Sequence, residues 1–549
     1  MNTKRFILVS TSVLLLTFSA FPLLILIVES FRPAHLSNYL LILSKKTYAT
    51  ALWNTLKLCT FTTLITVVIG LPLAWLLEKT DLPQKKLFKS LFAIPYIIPP
   101  YIGAMAWIKL LNPNSGSLNR LLANGLSLAE APFNIYSMTG AVWVLGLFFY
   151  SFILLACVSA FQKMDPALEE AALMCGAGRL RAFKDVTFPL LTPALLGGVI
   201  LVFVAAGAAF GVPALLMMPV RLFVLTTKIY NDVISLSGGI MRAASLSVIL
   251  MVLAFFGLWI NALFLKKRKF TTITGKYQQA SIYSLKKWRW PAFIGLILFW
   301  SVIVFLPLGT ILISSFLKIY GEPLTLSNLS LAKYQYVLFK LPYTHKAFLN
   351  SFIFASSAAT LSVILGALIA YLKVKTKVRG RHWIDFLATL PYATPGVVVA
   401  IGMIMAFSGS KGLNLYNTVW ILIAAYTVKY ISFAIRNTAA QLEQMDDTLE
   451  EAGRVSGAGW LRVFTSILIP ILKPTLIASW FLIFMPTFGE LTMSVFLVGP
   501  QTETIGTLLF NLQSYDDPQS AAVLATGVIL VILSANFGVK KLTRGEYGV

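Results

Sequence analysis

Two segments of the chain have nearly the same polar sequence and lie between long apolar runs: residues 169–178 are EEAALMCGAG, and residues 450–459 are EEAGRVSGAG. Each leads to a proline, and the spacing from Gly176 to Pro189 is the same as that from Gly457 to Pro470. Glu and Gly are common in surface loops, so one copy alone would be uninformative. Two copies with matched spacing indicate an internal duplication.

The composition places the chain in a membrane. It has 549 residues, of which 58% are hydrophobic and 12% are charged, and its mean hydropathy is +0.80. Stretches of about 20 apolar residues are the length that crosses a bilayer. The net charge is +24, but the basic residues form short clusters beside apolar runs, which is the pattern that orients membrane spans. We therefore expect the basic residues to face a lipid bilayer and not to bind nucleic acid.

The apolar runs predict an all-α integral membrane protein with about twelve transmembrane helices. The runs lie at roughly 6–28, 52–77, 87–111, 135–161, 189–216 and 243–265, and then at 291–317, 348–372, 384–407, 416–440, 470–498 and 520–538. Alternating the sides of these spans collects most basic loop residues on one side, which the positive-inside rule makes the cytoplasmic side. This topology places both termini and both polar segments in the cytoplasm.

The duplication predicts two parallel six-helix repeats related by an axis along the membrane normal. We assign residues 1–265 to the first repeat and 291–549 to the second, with repeat cores at about 52–265 and 348–538 and a basic cytoplasmic linker at 266–290. Matched short motifs support the alignment of the halves. PYIIP at 95–99 corresponds to PYATP at 391–395, and these prolines predict kinked or interrupted helices.

Each polar segment also has the pattern of a short helix that ends at a glycine. Asp165 and Pro166 are suited to a helix start, and acids favour the positive end of a helix. Gly176 and Gly178 then break the helix before the chain returns to the membrane. A short helix on the cytoplasmic face offers a surface to another protein.

These residues resemble the signature loop of binding-protein-dependent ABC importer permeases. The resemblance implies the ABC type I importer permease fold, with two permease repeats fused in one chain. It also implies that the two loops couple to a cytoplasmic ATPase. The coupling residues would be Glu169, Glu170, Ala171, Ala172, Gly176 and Pro189 in the first loop, and Glu450, Glu451, Ala452, Gly457 and Pro470 in the second. Gly453 departs from the pattern, which has alanine there.

The same resemblance implies the partners: a cytoplasmic ATPase dimer and an extracytoplasmic substrate-binding protein, at the bacterial inner membrane. The sequence contains no Gly-x-x-x-x-Gly-Lys-Ser/Thr, the motif whose backbone cradles nucleotide phosphates. We therefore expect ATP and Mg to bind the partner ATPase, and no cofactor to bind this chain. Neither Cys-x-x-Cys nor a helical pair of metal-ligating histidines occurs, so no resident metal site and no catalytic residue is predicted.

The transported substrate is indicated less directly. FGVPALL at 210–216 and FGELTMS at 488–494 look most like the ferric iron transporter group, and thiamine, phosphonate, sulfate and polyamine permeases stay open as alternatives. The candidate pathway residues are Tyr96, Tyr392, Thr487, Glu490 and Lys429. The four oxygen-bearing residues would suit ferric iron, whereas Lys429 would suit an anion. Packing or interfacial tyrosines, a helix-end glutamate and a lysine that snorkels are the structural alternatives.

Two other classes of protein compete with an ABC permease. An ion-coupled secondary transporter needs ionisable groups at membrane depth, and the apolar runs are almost free of carboxylates. An integral membrane enzyme would need a catalytic arrangement such as His-Glu-x-x-His, which is absent from the sequence. We therefore expect a transport subunit and not an enzyme.

Overall fold

The computed structural model describes residues 3–235, 239–266, 282–319, 325–410, 412–515 and 517–542. These residues form helices joined by short turns, and the described part of the chain contains isolated β-bridges but no β-sheet. The all-α prediction is confirmed. Most of the predicted linker at 266–290 falls on residues 267–281, which lie outside the described residues.

The helices of the two halves follow the same order. Those of the first half are α1 (Thr3–Leu15), α2 (Phe21–Ser30), α3 (Leu36–Ser44), α4 (Lys46–Lys79), α5 (Lys85–Ile97), α6 (Pro100–Leu111), α7 (Ser117–Gly125), α8 (Met138–Lys163), α9 (Pro166–Met174), α10 (Arg179–Ala182), α11 (Phe188–Ala208), α12 (Gly211–Leu216), α13 (Leu225–Ile234) and α14 (Ile240–Lys266). Those of the second half are α15 (Arg289–Trp300), α16 (Leu306–Ser315), α17 (Ala332–Gln335), α18 (Thr344–Lys375), α19 (Arg381–Ala393), α20 (Gly396–Phe407), α21 (Val419–Glu443), α22 (Thr448–Val455), α23 (Trp460–Val463), α24 (Ile469–Phe488), α25 (Ser494–Leu497), α26 (Ile505–Ser514) and α27 (Pro518–Leu542).

Two of the predicted spans are broken. Ten helical stretches of the described chain are long and apolar enough to cross a membrane unaided. The remaining two spans are the pairs α5–α6 and α19–α20, which bend by 96° and 110°. Pro99 and Pro395 stand at the bends, where a proline cannot continue a helix. The prediction of about twelve spans is therefore confirmed when each bent pair counts as one, and so is the predicted interruption at the prolines.

Each half is built on one closely packed helix pair, α4 with α8 and α18 with α21. Equivalent glycines allow the close approach. A Cβ at Gly70 would lie 2.8 Å from the Ile153 Cβ, and a Cβ at Gly366 would lie 2.6 Å from the Ala434 Cβ. Small residues commonly let membrane helices approach at such interfaces, because packing takes the place of the hydrophobic effect there.

The first long helix of each half packs against the opposite half. Helices α1 and α2, joined by the π-helical turn Leu16–Ala20, lie against α19 and α20. Helices α15 and α16, joined by the π-helical turn Ser301–Phe305, lie against α5 and α6. The two repeats are therefore interlocked by a reciprocal exchange of helices, and each exchanged segment also packs against its own half, α2 against α14 and α16 against α27.

The exchange satisfies backbone groups that prolines leave without a donor. Pro95 has no N–H, so the Leu91 carbonyl loses its helical hydrogen bond, and Pro391 does the same to the Leu387 carbonyl. Such a group is costly in an apolar environment. The indole Nε1 of Trp300 donates to the Leu91 carbonyl at 3.2 Å, and the Ser19 hydroxyl donates to the Leu387 carbonyl at 2.6 Å. Each donor comes from the exchanged helix of the other half.

The Ser19 hydrogen bond can be tested by replacing Ser19 with alanine. Ser19→Ala leaves the buried Leu387 carbonyl without its cross-half donor, so we expect a loss of about 1–2 kcal/mol of stability. Thermal unfolding in detergent micelles measures the change. Ser10→Ala is the matched control, because Ser10 is exposed and its hydroxyl bonds the Ile7 carbonyl of its own helix. Equal melting temperatures for the two variants would contradict this role of Ser19.

Candidate functional site

The two polar segments form the same helix–turn–helix loop, which we call the first and second coupling loops. The first consists of α9, a turn, α10 and the π-helical turn Phe183–Thr187, which continues into α11. The second consists of α22, a turn, α23 and the π-helical turn Phe464–Leu468, which continues into α24. Each loop therefore connects a short surface helix rigidly to a long apolar helix.

Equivalent aspartates begin the short helices, as predicted for Asp165. The Asp165 carboxylate accepts a hydrogen bond from the Ala167 N–H at 2.9 Å, and the Asp446 carboxylate accepts one from the Thr448 N–H at 3.0 Å. The Thr448 N–H lowers the pKa of Asp446 below its ordinary value, because it stabilises the ionised carboxylate.

Gly176 and Gly457 end these helices in the left-handed conformation, with φ of 84° and 78°. The next residue closes the turn in each loop: the Ala177 N–H donates to the Ala172 carbonyl and the Ala458 N–H donates to the Gly453 carbonyl, both at 3.0 Å. This is the glycine-terminated Schellman motif. A side chain at either glycine would be strained, although there is open space around both.

Both loops expose apolar side chains at matched positions. Met174 is 88% exposed and its counterpart Val455 is 89% exposed, while Leu180 and Leu461 are 82% and 64% exposed. We call these four residues the apolar faces of the loops. Apolar side chains grouped on a polar loop mark a surface for a protein partner. Because the same positions are exposed in both loops, the two faces suit two equivalent partner surfaces.

The predicted acids divide into two roles. Glu169 is buried and forms an ion pair with buried Lys79, at 2.7 Å from Nζ to Oε2. Glu450 is also buried, and its Oε2 accepts hydrogen bonds from the Tyr371 hydroxyl at 3.1 Å and from Arg454 at 2.8 Å. The neighbouring Glu170 and Glu451 are exposed. One acid therefore anchors each loop to the helices beneath it, and the next faces outward.

The remaining predicted loop residues occupy the surface or its edge. Ala171 and Ala452 are exposed, Ala172 is half-buried, and Pro189 and Pro470 are half-buried and exposed, respectively. Gly453, which departs from the signature pattern, is buried, and a Cβ there would lie 2.8 Å from the Ile467 Cδ1. The second loop therefore packs too closely at this position for an alanine without local movement.

A cavity of about 400 Å³ lies between the two halves, beside both helix breaks. Four of the five predicted pathway residues line it, namely Tyr96, Tyr392, Lys429 and Glu490. The two tyrosines are related by the duplication and each packs edge-on against a phenylalanine ring 5.2 Å away, Phe152 and Phe433 respectively. The cavity is therefore a mainly apolar space that is lined in part by aromatic rings, with Lys429 and Glu490 as its charged residues.

Lys429 stabilises the break between α19 and α20. Its ammonium donates to the carbonyls of Pro391 at 3.1 Å, of Tyr392 at 3.3 Å, and of Thr394. These carbonyls are at the end of α19, where no further helical N–H follows. Lys429 therefore binds the broken helix instead of extending toward the headgroups, and the snorkelling interpretation is wrong.

Glu490 and Thr487 make local hydrogen bonds. The Glu490 carboxylate accepts from the N–H groups of Met493 at 2.8 Å and Ser494 at 2.9 Å, and from the Ser494 hydroxyl at 2.6 Å. It thus caps α25. Thr487 donates to the Ile483 carbonyl of its own helix at 2.6 Å and is not among the residues that line the cavity. Within the described residues, no group of three His, Cys, Asp or Glu side chains is placed to hold a metal ion.

Sequence reasoning missed several residues of these sites. Tyr101 and Tyr430 line the cavity, and the buried Tyr101 hydroxyl has no hydrogen-bond partner among the described residues. Lys79 anchors the first loop. The lysine at the matching position of the second repeat, Lys375, is the sequence feature that could have identified it. Tyr283, which follows the linker, also contacts the first loop, and no motif marks it.

The chain is similar in sequence to known membrane transport proteins. The family model described as "Binding-protein-dependent transport system inner membrane component" matches residues 66–270 and again residues 362–545. The ferric transport system permease protein FbpB of Actinobacillus pleuropneumoniae is 26% identical over 87% of this chain and 69% of its own length. The Fe(3+)-transport system permease protein FbpB 2 of Haemophilus influenzae is 25% identical over 88% of each chain. A solved bacterial ABC transporter involved in alginate import aligns with 47% of this chain and 97% of its own, at 18% identity and a TM-score of 0.37.

The anchoring role of Glu169 predicts a large effect for a small change. Glu169→Gln leaves the buried Lys79 ammonium without its counter-charge, which typically costs about 3–5 kcal/mol. We expect the amides of α9 to lose protection in hydrogen exchange. Glu170→Gln is the matched control, because Glu170 is exposed, and adding Lys79→Met to Glu169→Gln should recover part of the loss. Unchanged protection in Glu169→Gln would contradict the anchoring role.

Proposed function

Because this chain belongs to the family of binding-protein-dependent transport system inner membrane components, we propose that it is the membrane subunit of an importer driven by a separate ATPase dimer. The family domain is present twice, so the chain is a fused, multi-pass inner-membrane permease and a transport subunit rather than an enzyme. The observation that carries the proposal is the pair of coupling loops with matching exposed apolar faces.

The coupling loops support an ATPase dimer as the partner. Each loop presents its apolar face beside an exposed glutamate, Glu170 or Glu451, and is anchored beneath by a buried one. A rigid anchor allows a movement of the partner to be transmitted to α11 and α24, into which the loops continue. Two equivalent loops match the two equivalent subunits of a dimer. ATP and Mg would then bind that partner.

We further propose that both termini and the coupling loops face the cytoplasm. The basic residues beside the spans support this orientation. In the structure, Lys540 near the end of α27 donates to the Ser90 hydroxyl near the start of α5. Residues 81 and 284–285, which precede α5 and α15, also contact each other. The carboxyl end of the described chain and the first coupling loop thus share one end of the molecule, and an extracytoplasmic binding protein would deliver substrate at the other.

The cavity supports ferric iron as the transported substrate. Relatives that cover most of the chain are named as ferric permeases, and the tyrosine oxygens along the cavity are hard ligands suited to a hard cation. Lys429, the residue that could favour an anion, is already bound to three carbonyls. Because these bonds occupy the ammonium of Lys429, they argue against an anionic substrate such as sulfate or phosphonate. Tyr96 and Tyr392 are therefore the proposed pathway residues that face the cavity, because the carboxylate of Glu490 is likewise engaged with backbone N–H groups.

The glycine turns predict a specific loss of coupling. Gly176→Val and Gly457→Val place a β-branched residue at positive φ, which costs about 1–3 kcal/mol and distorts the loop. We expect uptake of the labelled substrate to fall at least roughly tenfold, while the amount of protein in the membrane stays unchanged. Gly178→Val is the matched control, because Gly178 has φ −66° and open space around it. Normal uptake in both test variants would contradict the coupling role.

The substrate is tested in a bacterial strain that lacks this chain and receives it back on a plasmid. We expect restored uptake of labelled ferric iron, and no restored uptake of thiamine, phosphonate, sulfate or putrescine. Uptake should cease when ATP is depleted and persist when only the proton gradient is collapsed. Restoration of another substrate would contradict the iron assignment alone, whereas uptake that depends on the proton gradient without ATP would contradict the importer itself.

A further inference from the structure

The chain segment that enters the second half is attached to the first coupling loop. The Tyr283 N–H donates to the Lys79 carbonyl at 2.7 Å, and the Asp81 N–H donates to the Tyr283 carbonyl at 3.2 Å. Tyr283 thereby forms a parallel β-bridge with Thr80, directly after α4. These backbone hydrogen bonds hold the segment beside the end of α4 and also fix its register there.

A second set of bonds holds the residues that follow. The Asp81 carboxylate accepts a hydrogen bond from the Leu285 N–H at 2.8 Å and from the Ser284 hydroxyl at 3.1 Å. The Leu285 N–H lowers the pKa of Asp81, because it favours the ionised carboxylate. The segment 282–288, which we call the docking segment, is therefore bonded to the connection between α4 and α5 through both backbone and side chains.

The Tyr283 side chain reaches the coupling loop itself. Its hydroxyl donates to Oε1 of Glu169, the buried acid whose Oε2 is paired with Lys79. The guanidinium of Arg179, in α10, lies 5.6 Å from the centre of the Tyr283 ring. One side chain from outside the loop thus contacts both short helices, α9 and α10.

In the second half, the equivalent hydroxyl group comes from a long helix and not from the docking segment. Tyr371, in α18, donates to Glu450, the counterpart of Glu169. Tyr371 stands four residues before Lys375, and the residue four before Lys79 in α4 is Trp75. Indole has no hydroxyl, and the Trp75 ring instead packs against the Tyr283 ring, with centroids 6.0 Å apart. In the first half, then, the docking segment supplies the phenol that the helix lacks.

We propose that Tyr283 is a positioning residue of the first coupling loop, and that the docking segment is a working part of the ATPase-binding face rather than a tether between the halves. The link to the ATPase depends on the function proposed above, whereas the positioning of the loop does not. Through its hydrogen bond to Glu169, Tyr283 fixes the position of α9 relative to α4.

The buried acids of the two coupling loops are consequently held by different bonds, although the exposed faces of the loops match. Both carboxylate oxygens of Glu169 are bonded, one to Lys79 and one to Tyr283. At Glu450 the bonds converge on Oε2, and the buried Oε1 has no hydrogen-bond partner within the described structure. The first loop is therefore held through Glu169 by Lys79 and the docking segment, whereas Lys375 holds the second loop through Asp447 and the Met445 carbonyl.

The native cysteines provide a direct readout of the first loop. Cys175 is exposed next to Gly176, whereas Cys59 and Cys157 are buried. The rate at which a fluorescent maleimide labels Cys175 in the detergent-solubilised permease, without ATPase, reports how well the loop is held. Ser456, at the matching position of the second loop, gives the control site when replaced by cysteine in a Cys175→Ser background.

Tyr283→Phe removes only the hydroxyl. We expect Cys175 labelling to become roughly tenfold faster, since a hydrogen bond to a charged group is lost, and labelling at Ser456→Cys to stay unchanged. Trp75→Tyr combined with Tyr283→Phe returns a hydroxyl to the position that Tyr371 occupies in the second half, and should restore slow labelling. A structural role unrelated to Glu169 would not be rescued in this way.

The outcomes separate the two proposals. Unchanged labelling in Tyr283→Phe, or faster labelling at both loops, overturns the positioning role of Tyr283. Faster labelling of Cys175 that Trp75→Tyr reverses supports it. Adding the purified ATPase to the unmodified permease should protect Cys175 from the maleimide. An absence of protection there contradicts the docking function of the loop and leaves the positioning result unaffected.

Discussion

The structure depends on giving every backbone carbonyl a donor in a region without water. Pro95 and Pro391 remove the donors for the Leu91 and Leu387 carbonyls, and an unmet carbonyl in hydrocarbon costs several kcal/mol. Trp300 and Ser19 supply the missing hydrogen-bond donors, each to a carbonyl of the opposite half. The exchange of first helices is therefore more than a packing preference, because each half completes the hydrogen bonding of the other at the point where its own helix is interrupted.

The cavity follows from the same interruptions. Where α5–α6 and α19–α20 turn sharply, the broken helices border a space that is lined in part by aromatic rings. The charged groups along that space are engaged with backbone: Lys429 with carbonyls and Glu490 with N–H groups. These bonds offset the free-energy cost of burying the two charges. Both charged groups beside the cavity therefore already have partners within the protein.

The duplicated pattern made the spans, the two coupling loops and the broken helices predictable, because proline, glycine and apolar length act locally. The interlocking of the halves was not predictable in this way. The equivalent donors Ser19 and Trp300 are chemically different residues, and each bonds a carbonyl that any residue would provide. Tyr283 was equally hidden, since its partner Glu169 is distant in sequence and the duplication has no second copy of it. Four of the candidate pathway residues line the cavity, but the bonds of Lys429 and Glu490 to backbone depend on the local fold and so needed the structure.

The reciprocal exchange of helices also has a consequence for biosynthesis. The Leu91 carbonyl enters the membrane when α5 is made, yet its donor, Trp300, follows roughly 200 residues later in the chain. At roughly 5–20 residues per second, the nascent chain spends on the order of 10–40 seconds with that carbonyl unmet. The first half therefore completes the hydrogen bonding of α5 only after α15 has been made.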